Sequence, residues 1–303
     1  MTAAVLTTIL FALSAICGQR IAMKMGSLRA NFWRLLIATS VLGLLVLLFW
    51  RDSLHLNTFG WLFLSGAVGF GLGDIALFYA FERIGTRLTI LMNLCLAPIF
   101  AAAVEFLWLG NGLLSHQWLA VAVILFGVGL SINPTKTGRN THRRGRFAPG
   151  IIAGIIAGFG QGCGAVISRR SQIAEELAGL NINGISEAFQ RVLAGFVVVA
   201  ILFAIRRPSH PPQNLLDQPS RIDRRQLPLW LLGSALFGPV IGVSCFQWAL
   251  HSMESALVLS VVSTAPIVLI PMTWYLDGER PPLKTLIGAV IAVQGVIYLQ
   301  LYS

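Results

Sequence analysis

The chain carries the sequence LAPIFAAAVEFLWLGNG at residues 96–112 and the sequence TAPIVLIPMTWYLDGER at residues 264–280. Both stretches place an Ala-Pro-Ile triplet in an apolar run that ends in a polar turn. Three pairs of landmark residues are each separated by 168 positions: Pro98 and Pro266, Asn111 and Glu279, and Gly127 and Gly295. A constant separation inside apolar segments indicates a duplicated membrane unit. We therefore interpret residues 61–132 and 230–301 as two copies of one segment.

The composition indicates a membrane protein. Of the 303 residues, 56% are hydrophobic and 11% are charged, and the mean hydropathy is +0.76. A soluble globule needs more polar surface than this. The apolar runs are continuous, which predicts helices, because barrel strands alternate between lipid-facing and lumen-facing residues. Ten runs are predicted to cross the membrane: 2–21, 32–50, 60–81, 88–109, 118–132, 149–167, 184–205, 228–250, 255–276 and 285–302.

The number of spans in each half determines the expected architecture. Five spans is an odd number, so the second half must enter the membrane inverted relative to the first. We expect an all-α integral membrane protein of about ten transmembrane helices, built as two inverted five-helix repeats. The repeats cover residues 1–132 and 149–303, joined by a basic linker at 133–148. A Pro-rich polar segment at 206–226 is typical of an extramembrane loop.

Several motifs recur in both halves. They are an arginine near the start of the second span (Arg34, Arg191), an aromatic-Ala pair ending the third (Tyr79-Ala80, Trp248-Ala249), the Ala-Pro pair in the fourth, and a Gly-Glu or its variant before the fifth. The chain resembles EamA-like members of the drug/metabolite transporter superfamily over nearly its whole length. The family usually has Glu before the fifth span of each half. Glu279 fits this pattern, whereas Asn111 departs from it. The resemblance implies alternating access to a central cavity between halves, moving small metabolites or drugs.

Other chemistry is not indicated. Cys17, Cys95, Cys163 and Cys245 lie inside predicted spans without close Cys or His neighbours, so we expect packed thiols rather than a disulfide or zinc site. No P-loop is present, so ATP does not drive the chain directly. The five histidines fall in loops or at span ends. We expect no cofactor, no metal and no catalytic residues, and we interpret the regularly spaced span glycines as sites of close helix packing.

Five ionisable side chains fall inside predicted spans: Arg34, Asp74, Glu105, Glu187 and Arg191. A charge at mid-bilayer costs about 2.5–3.5 kcal/mol, so each needs a partner or a wet cavity. A rise of roughly 1.5 Å per residue places Arg34 and Asp74 at similar depth, within side-chain reach. It places Glu105 and Arg191 toward the opposite face, and Glu187 offers Arg191 a local i,i+4 pair. Structural ion pairs and substrate or proton binding both stay open.

Glu105 is favoured slightly over Asp74 as a functional carboxylate. It follows Pro98 by seven residues, hence on nearly the same helical face, and interrupted helices tend to border the site in inverted-repeat carriers. Seven residues are candidates for substrate binding: Tyr79, Asn93, Pro98, Gln161, Gln247, Trp248 and Pro266. The polar and aromatic ones could equally serve as interhelical contacts or interface anchors.

The expected function is secondary active transport, as an exporter of small organic metabolites or drugs, with proton coupling suggested by the buried carboxylates. A membrane-embedded enzyme acting on lipid and a non-transporting scaffold are the alternatives. The expected partners are the lipid bilayer and a small-molecule substrate. A homodimer is left open, and nucleic acid is not expected. The expected location is the plasma membrane, which in a bacterium is the inner membrane.

The charge distribution predicts the orientation. Seventeen of the 22 Lys and Arg residues fall in loops after odd-numbered spans and only three in the other loops. The positive-inside rule then places linker 133–147 in the cytoplasm and both termini outside, whereas the family resemblance implies both termini inside.

In a background lacking the native cysteines, we expect an impermeant thiol reagent to label Ser303→Cys but not Thr137→Cys in intact cells. The reverse labelling pattern would favour the orientation that the resemblance implies.

Overall fold

The computed structural model describes residues 1–54, 56–109, 115–131, 141–180, 183–206, 224–252, 255–277 and 282–301, and these residues are helical or lie in short turns. The α-helices are α1 (Thr2–Met25), α2 (Ser27–Phe49), α3 (Leu56–Gly66), α4 (Asp74–Leu109), α5 (Ser115–Ser131), α6 (Thr141–Leu177), α7 (Gly184–Arg206), α8 (Leu227–Ala235), α9 (Ile241–Ser252), α10 (Ser255–Val262), α11 (Ala265–Asp277) and α12 (Leu283–Leu301).

The helical stretches match a membrane protein in length and composition. Within the described residues, six are long and apolar enough to cross a membrane: Thr2–Met25, Ser27–Phe49, Phe59–Trp108, Phe147–Leu177, Gly184–Arg206 and Leu227–His251. Three shorter apolar helices occupy Trp118–Ser131, Ala265–Leu276 and Leu283–Tyr298. The prediction of an all-helical, multi-pass chain is confirmed.

The third and fourth predicted spans are joined more tightly than the sequence suggested. We expected separate spans at 60–81 and 88–109, but the helical backbone continues through the residues between them and breaks only at Gly85. Gly85 has φ 77° and ψ 169°, a conformation that a residue with a Cβ atom rarely adopts. A single glycine therefore replaces the predicted loop.

Both halves contain a π-helical segment. The first, Ala67–Gly73, joins α3 to α4, and the second, Leu236–Val240, joins α8 to α9. Moved by the repeat separation of 168, residues 68–72 coincide with the second segment. π-Helical turns are rare and frequently occur at functional sites. The same irregularity at equivalent positions agrees with the duplication inferred from the sequence.

Two other boundaries differ from the predicted spans. Helix α6 runs from Thr141 to Leu177, beyond the predicted 149–167 at both ends, because the helix continues into polar residues that a count of apolar residues leaves out. The ninth predicted span, 255–276, breaks at Ser263 and Thr264, just before Pro266. Pro98 stays inside α4 without a break, so the two prolines act differently. Residues 133–140 of the linker and residues 207–223 of segment 206–226 lie outside the described residues.

Close helix contacts occur where the sequence placed glycines. Gly150, Gly154, Gly158 and Gly162 lie on the face of α6 that crosses α4, and a Cβ atom at Gly154 would stand 2.9 Å from the Met92 sulfur. The interpretation of these glycines as packing sites is confirmed. All four cysteines are buried and unpaired, also as expected.

The landmark glycines of the repeat form the contact between α5 and α12. A Cβ atom at Gly127 would collide with the backbone at Ala292 and Gly288, and one at Gly295 would stand 3.0 Å from the Ile124 backbone nitrogen. Each repeat therefore uses its glycine to bring its last helix against that of the other repeat.

This contact predicts a position-specific effect of one methyl group. We expect Gly127→Ala to lower the free energy of unfolding by about 1–3 kcal/mol, because the backbone atoms it meets cannot move aside as a side chain could. Gly129→Ala on the same helix is the matched control, since a Cβ atom there meets nothing within 4 Å. Thermal unfolding in detergent measures both variants. Equal stability of the two would show that α5 and α12 do not pack through Gly127.

Candidate functional site

A cavity of about 60 Å³ lies between the two halves of the chain. Its walls come from α1, α2, α4 and the first π-helical segment in one half, and from α6, α7, α9 and the second π-helical segment in the other. Six polar side chains line it: Ser14, Arg34, Asp74, Asn93, Gln161 and Arg191. Five phenylalanines complete much of the wall: Phe11, Phe70, Phe78, Phe81 and Phe246. We call it the central cavity.

Arg34 and Asp74 form a buried ion pair in the central cavity, with 2.6 Å between Nη1 and Oδ2. Asp74 is the first residue of α4, directly after the π-helical segment, so that segment sets its position on the helix. Arg34 Nη1 also donates to Asn31 Oδ1 at 3.3 Å, and its Nε donates to the Ser234 carbonyl oxygen at 3.4 Å. The structure thus brings together the two side chains that the depth argument placed within reach.

Arg191 faces the same cavity from α7. Its Nη1 donates to Gln247 Oε1 at 2.9 Å, and the Phe70 ring lies 5.4 Å from its guanidinium carbon. The side chain is buried, and Asp74 lies within electrostatic reach. The sequence placed Arg191 toward the face opposite Asp74, but the structure places both on one cavity.

Among the described residues Glu187 makes no direct salt bridge with Arg191, the local contact that its spacing suggested, although its charge still acts on Arg191. Its Oε2 instead accepts hydrogen bonds from Gln172 Nε2 at 3.1 Å, Gln247 Nε2 at 3.0 Å and His251 Nε2 at 3.0 Å. Gln247 therefore connects Glu187 to Arg191. We call the side chains of Gln172, Glu187, Gln247 and His251 the Glu187 network.

The remaining predicted site residues divide into two groups. Asn93 and Gln161 line the central cavity, and Gln247 lies one hydrogen bond behind it. The others do not line it. Pro98 and Pro266 are buried within helices, whereas Tyr79, Trp248 and Glu105 are exposed on the outside of the bundle, Tyr79 beneath the Arg83 guanidinium.

Sequence reasoning missed His251 and Gln172. His251 was assigned to a span end without a role, yet it follows Gln247 by four residues and so shares its helix face. That spacing was a usable signal. Gln172 lies beyond the predicted end of its span at residue 167, and only the extension of α6 to Leu177 brings it to Glu187. The cavity phenylalanines are not distinguished by the sequence from those that face lipid.

Comparisons with known proteins identify the family and the fold. The family model of the EamA-like transporter family matches residues 1–133 and 148–301. A solved structure described only as "Crystal structure of protein" has a TM-score of 0.61 and 16% sequence identity, covering 99% of this chain and 97% of that one. Identity at this level shows a shared fold alone. No curated protein matches the chain. Because the family description covers nearly every residue of both halves, the chain belongs to the EamA-like transporter family, whose members are membrane transporters of the drug/metabolite type.

Proposed function

We propose that this protein is a secondary active transporter that exports a small organic metabolite or drug by alternating access, coupled to the proton gradient. The observation that carries the proposal is the central cavity, which both halves line and onto which the Arg34–Asp74 pair opens. Inverted-repeat carriers bind their solute between two halves that rock against each other. Ligand pockets measure about 300–1,000 Å³, so we assign the cavity of about 60 Å³ to a closed conformation.

The proposed architecture is that of ten membrane crossings in two inverted repeats, with the linker at 133–148 between them, in the plasma membrane. Gly85 divides the stretch Phe59–Trp108 into two arms, each of a length that could cross a bilayer. The equivalent π-helical segments and the α5–α12 glycine contact support the two repeats.

Asp74 is the carboxylate that we propose carries the coupled proton. It is buried, lines the central cavity and pairs with Arg34. A proton on Asp74 removes the charge that holds Arg34, so proton binding and the ion pair exclude each other. Glu105, which the sequence favoured slightly, is exposed and lies outside the cavity.

This assignment predicts different behaviour for two carboxylate variants. In proteoliposomes, with a solute found by a thermal-shift screen, we expect Asp74→Asn to abolish uptake driven by a pH gradient while solute exchange continues. Exchange survives because it needs no net proton transfer. Glu105→Gln should keep both activities.

Glu176→Gln serves as the control, because this carboxylate is about half exposed and pairs only loosely with Arg169 at 3.9 Å. Loss of gradient-driven uptake in Glu105→Gln and its retention in Asp74→Asn would assign the proton to Glu105 instead. If Asp74→Asn does not accumulate as folded protein, its ion pair with Arg34 is structural.

The Glu187 network predicts an effect on stability. Glu187→Ala leaves donors from Gln172, Gln247 and His251 without their shared acceptor, so we expect it to lower the free energy of unfolding by about 3–5 kcal/mol. Thermal unfolding in detergent measures the change, and Glu176→Ala, at an exposed position, should leave stability nearly unchanged. A similarly small change in both variants would mean that the network contributes little to holding α6, α7 and α9 together.

A further inference from the structure

We infer that the solute of the central cavity is a small apolar or aromatic monocarboxylate whose carboxylate binds Arg191, an inference that rests on the proposed function and adds a substrate class to it. Four features of the described residues support it. They are the charge of the cavity wall, the unused hydrogen-bond donors of Arg191, the two glycines beside its guanidinium, and the apolar remainder of the wall.

The charge of the cavity wall is unbalanced. Its charged side chains are Arg34, Arg191 and Asp74, which sum to one positive charge. Asp74 contacts Arg34 directly at 2.6 Å. Glu187, the other carboxylate near Arg191, lies behind Gln247 and already accepts three hydrogen bonds. Glu187 acts on Arg191 electrostatically from behind the wall but does not contact it, so a solute carboxylate would supply the direct ionic contact that Arg191 lacks.

Arg191 has hydrogen-bond donors that no described residue accepts from. Only 4% of the residue is exposed, its Nη1 is engaged by Gln247, and its buried Nε has no hydrogen-bond partner among the described residues. Within the described residues Nη2 donates no hydrogen bond either. Nε and Nη2 form one edge of the guanidinium fork, which accommodates a carboxylate through two parallel hydrogen bonds. An unpaired buried donor of this kind is uncommon in a native structure.

Two glycines keep side chains away from that edge. A Cβ atom at Gly69, in the first π-helical segment, would stand 3.6 Å from Arg191 Nη2, and one at Gly164, in α6, would stand 3.5 Å away. The two glycines pack closely beside the Nη2 edge of the guanidinium, so a methyl group at either position would contact that edge.

The rest of the wall suits an apolar body and does not suit an amine. Five phenylalanines line the cavity, and the amides of Asn93 and Gln161 add neutral hydrogen-bonding groups. Asp74, the carboxylate among the described wall residues, already pairs with Arg34, so an ammonium group would have no ionic partner there. We therefore expect a simple acid to bind better than the corresponding zwitterionic amino acid.

Binding to the purified full-length protein in detergent tests the inference, because binding is not affected by the passage of weak acids through lipid. The probes are two matched series at neutral pH: 3-phenylpropionate with its amide and amine, and 4-methylpentanoate with its amide and amine, plus phenylalanine. We expect the two carboxylates to raise the melting temperature in thermal-shift assays and to give measurable calorimetric affinities. The amides, the amines and phenylalanine should bind at least tenfold more weakly.

Variants locate the carboxylate. Arg191→Gln should weaken carboxylate binding about 10- to 100-fold, the value of a charge-assisted hydrogen bond. Gly69→Ala keeps the charge and meets no atom closer than 3.6 Å, so it should fold normally and still weaken binding by obstructing the fork. Arg169→Gln is the control, since this arginine lies outside the cavity wall.

Three results would overturn the inference: amides or amines that bind as tightly as the carboxylates, no binding by either carboxylate, or undiminished binding in both Arg191→Gln and Gly69→Ala. These results are distinct from failure of the proposed function. Gradient-driven flux of a neutral or cationic solute would keep the transporter and remove the anion site. Carboxylate binding with no flux of any solute in proteoliposomes would keep the site and remove the transporter.

Discussion

A charge inside a membrane must find a partner within the protein, and the central cavity is built around that constraint. Arg34 and Arg191 occupy corresponding places in the two repeats, yet each is satisfied differently. Arg34 contacts a carboxylate directly, whereas Arg191 reaches Glu187 only through the neutral amide of Gln247. The direct pair neutralises its arginine, and the relayed pair leaves part of the other guanidinium available. These contacts link α2, α4, α7 and α9 around the cavity.

The duplicated scaffold therefore carries unequal chemistry. Both halves have a π-helical segment and a landmark glycine at matching positions, which are features of backbone packing. The cavity carboxylate has no counterpart in the second half, because the position 168 residues after Asp74 is Gly242. A symmetric cavity would bring a carboxylate into direct contact with each arginine. Divergence at single side chains gives this cavity its polarity without disturbing the packing that the repeats share.

The sequence predicted the membrane class, the repeats, the glycine packing sites and the approach of Arg34 to Asp74, because each depends on periodicity, spacing or depth along a helix. It did not predict which residues converge. Depth does not fix rotation about the helix axis, so Glu105 and Asp74 were nearly equivalent in the sequence, although one is exposed and the other lines the cavity. The π-helical segments change the rotation of side chains about the helix axis, and no residue pattern in the sequence predicts these segments. The sequence did not predict the Glu187 network, because Gln172 lies beyond the apolar run and because His251 was considered only as a residue at a span end.

The separation of Arg34 and Asp74 along the chain has a consequence for biogenesis. The two residues are 40 positions apart, so α2 reaches the membrane before the carboxylate that will neutralise its arginine. An arginine inside a span opposes insertion, by about 2.5–3.5 kcal/mol at the helix centre, and the leucines and valines of α2 must offset this alone. Arg191 is in a milder position, because Glu187 enters the bilayer on the same helix. The apolar residues of α2 therefore hold it in the bilayer until α4 inserts. The ion pair with Asp74 then stabilises Arg34 inside the membrane.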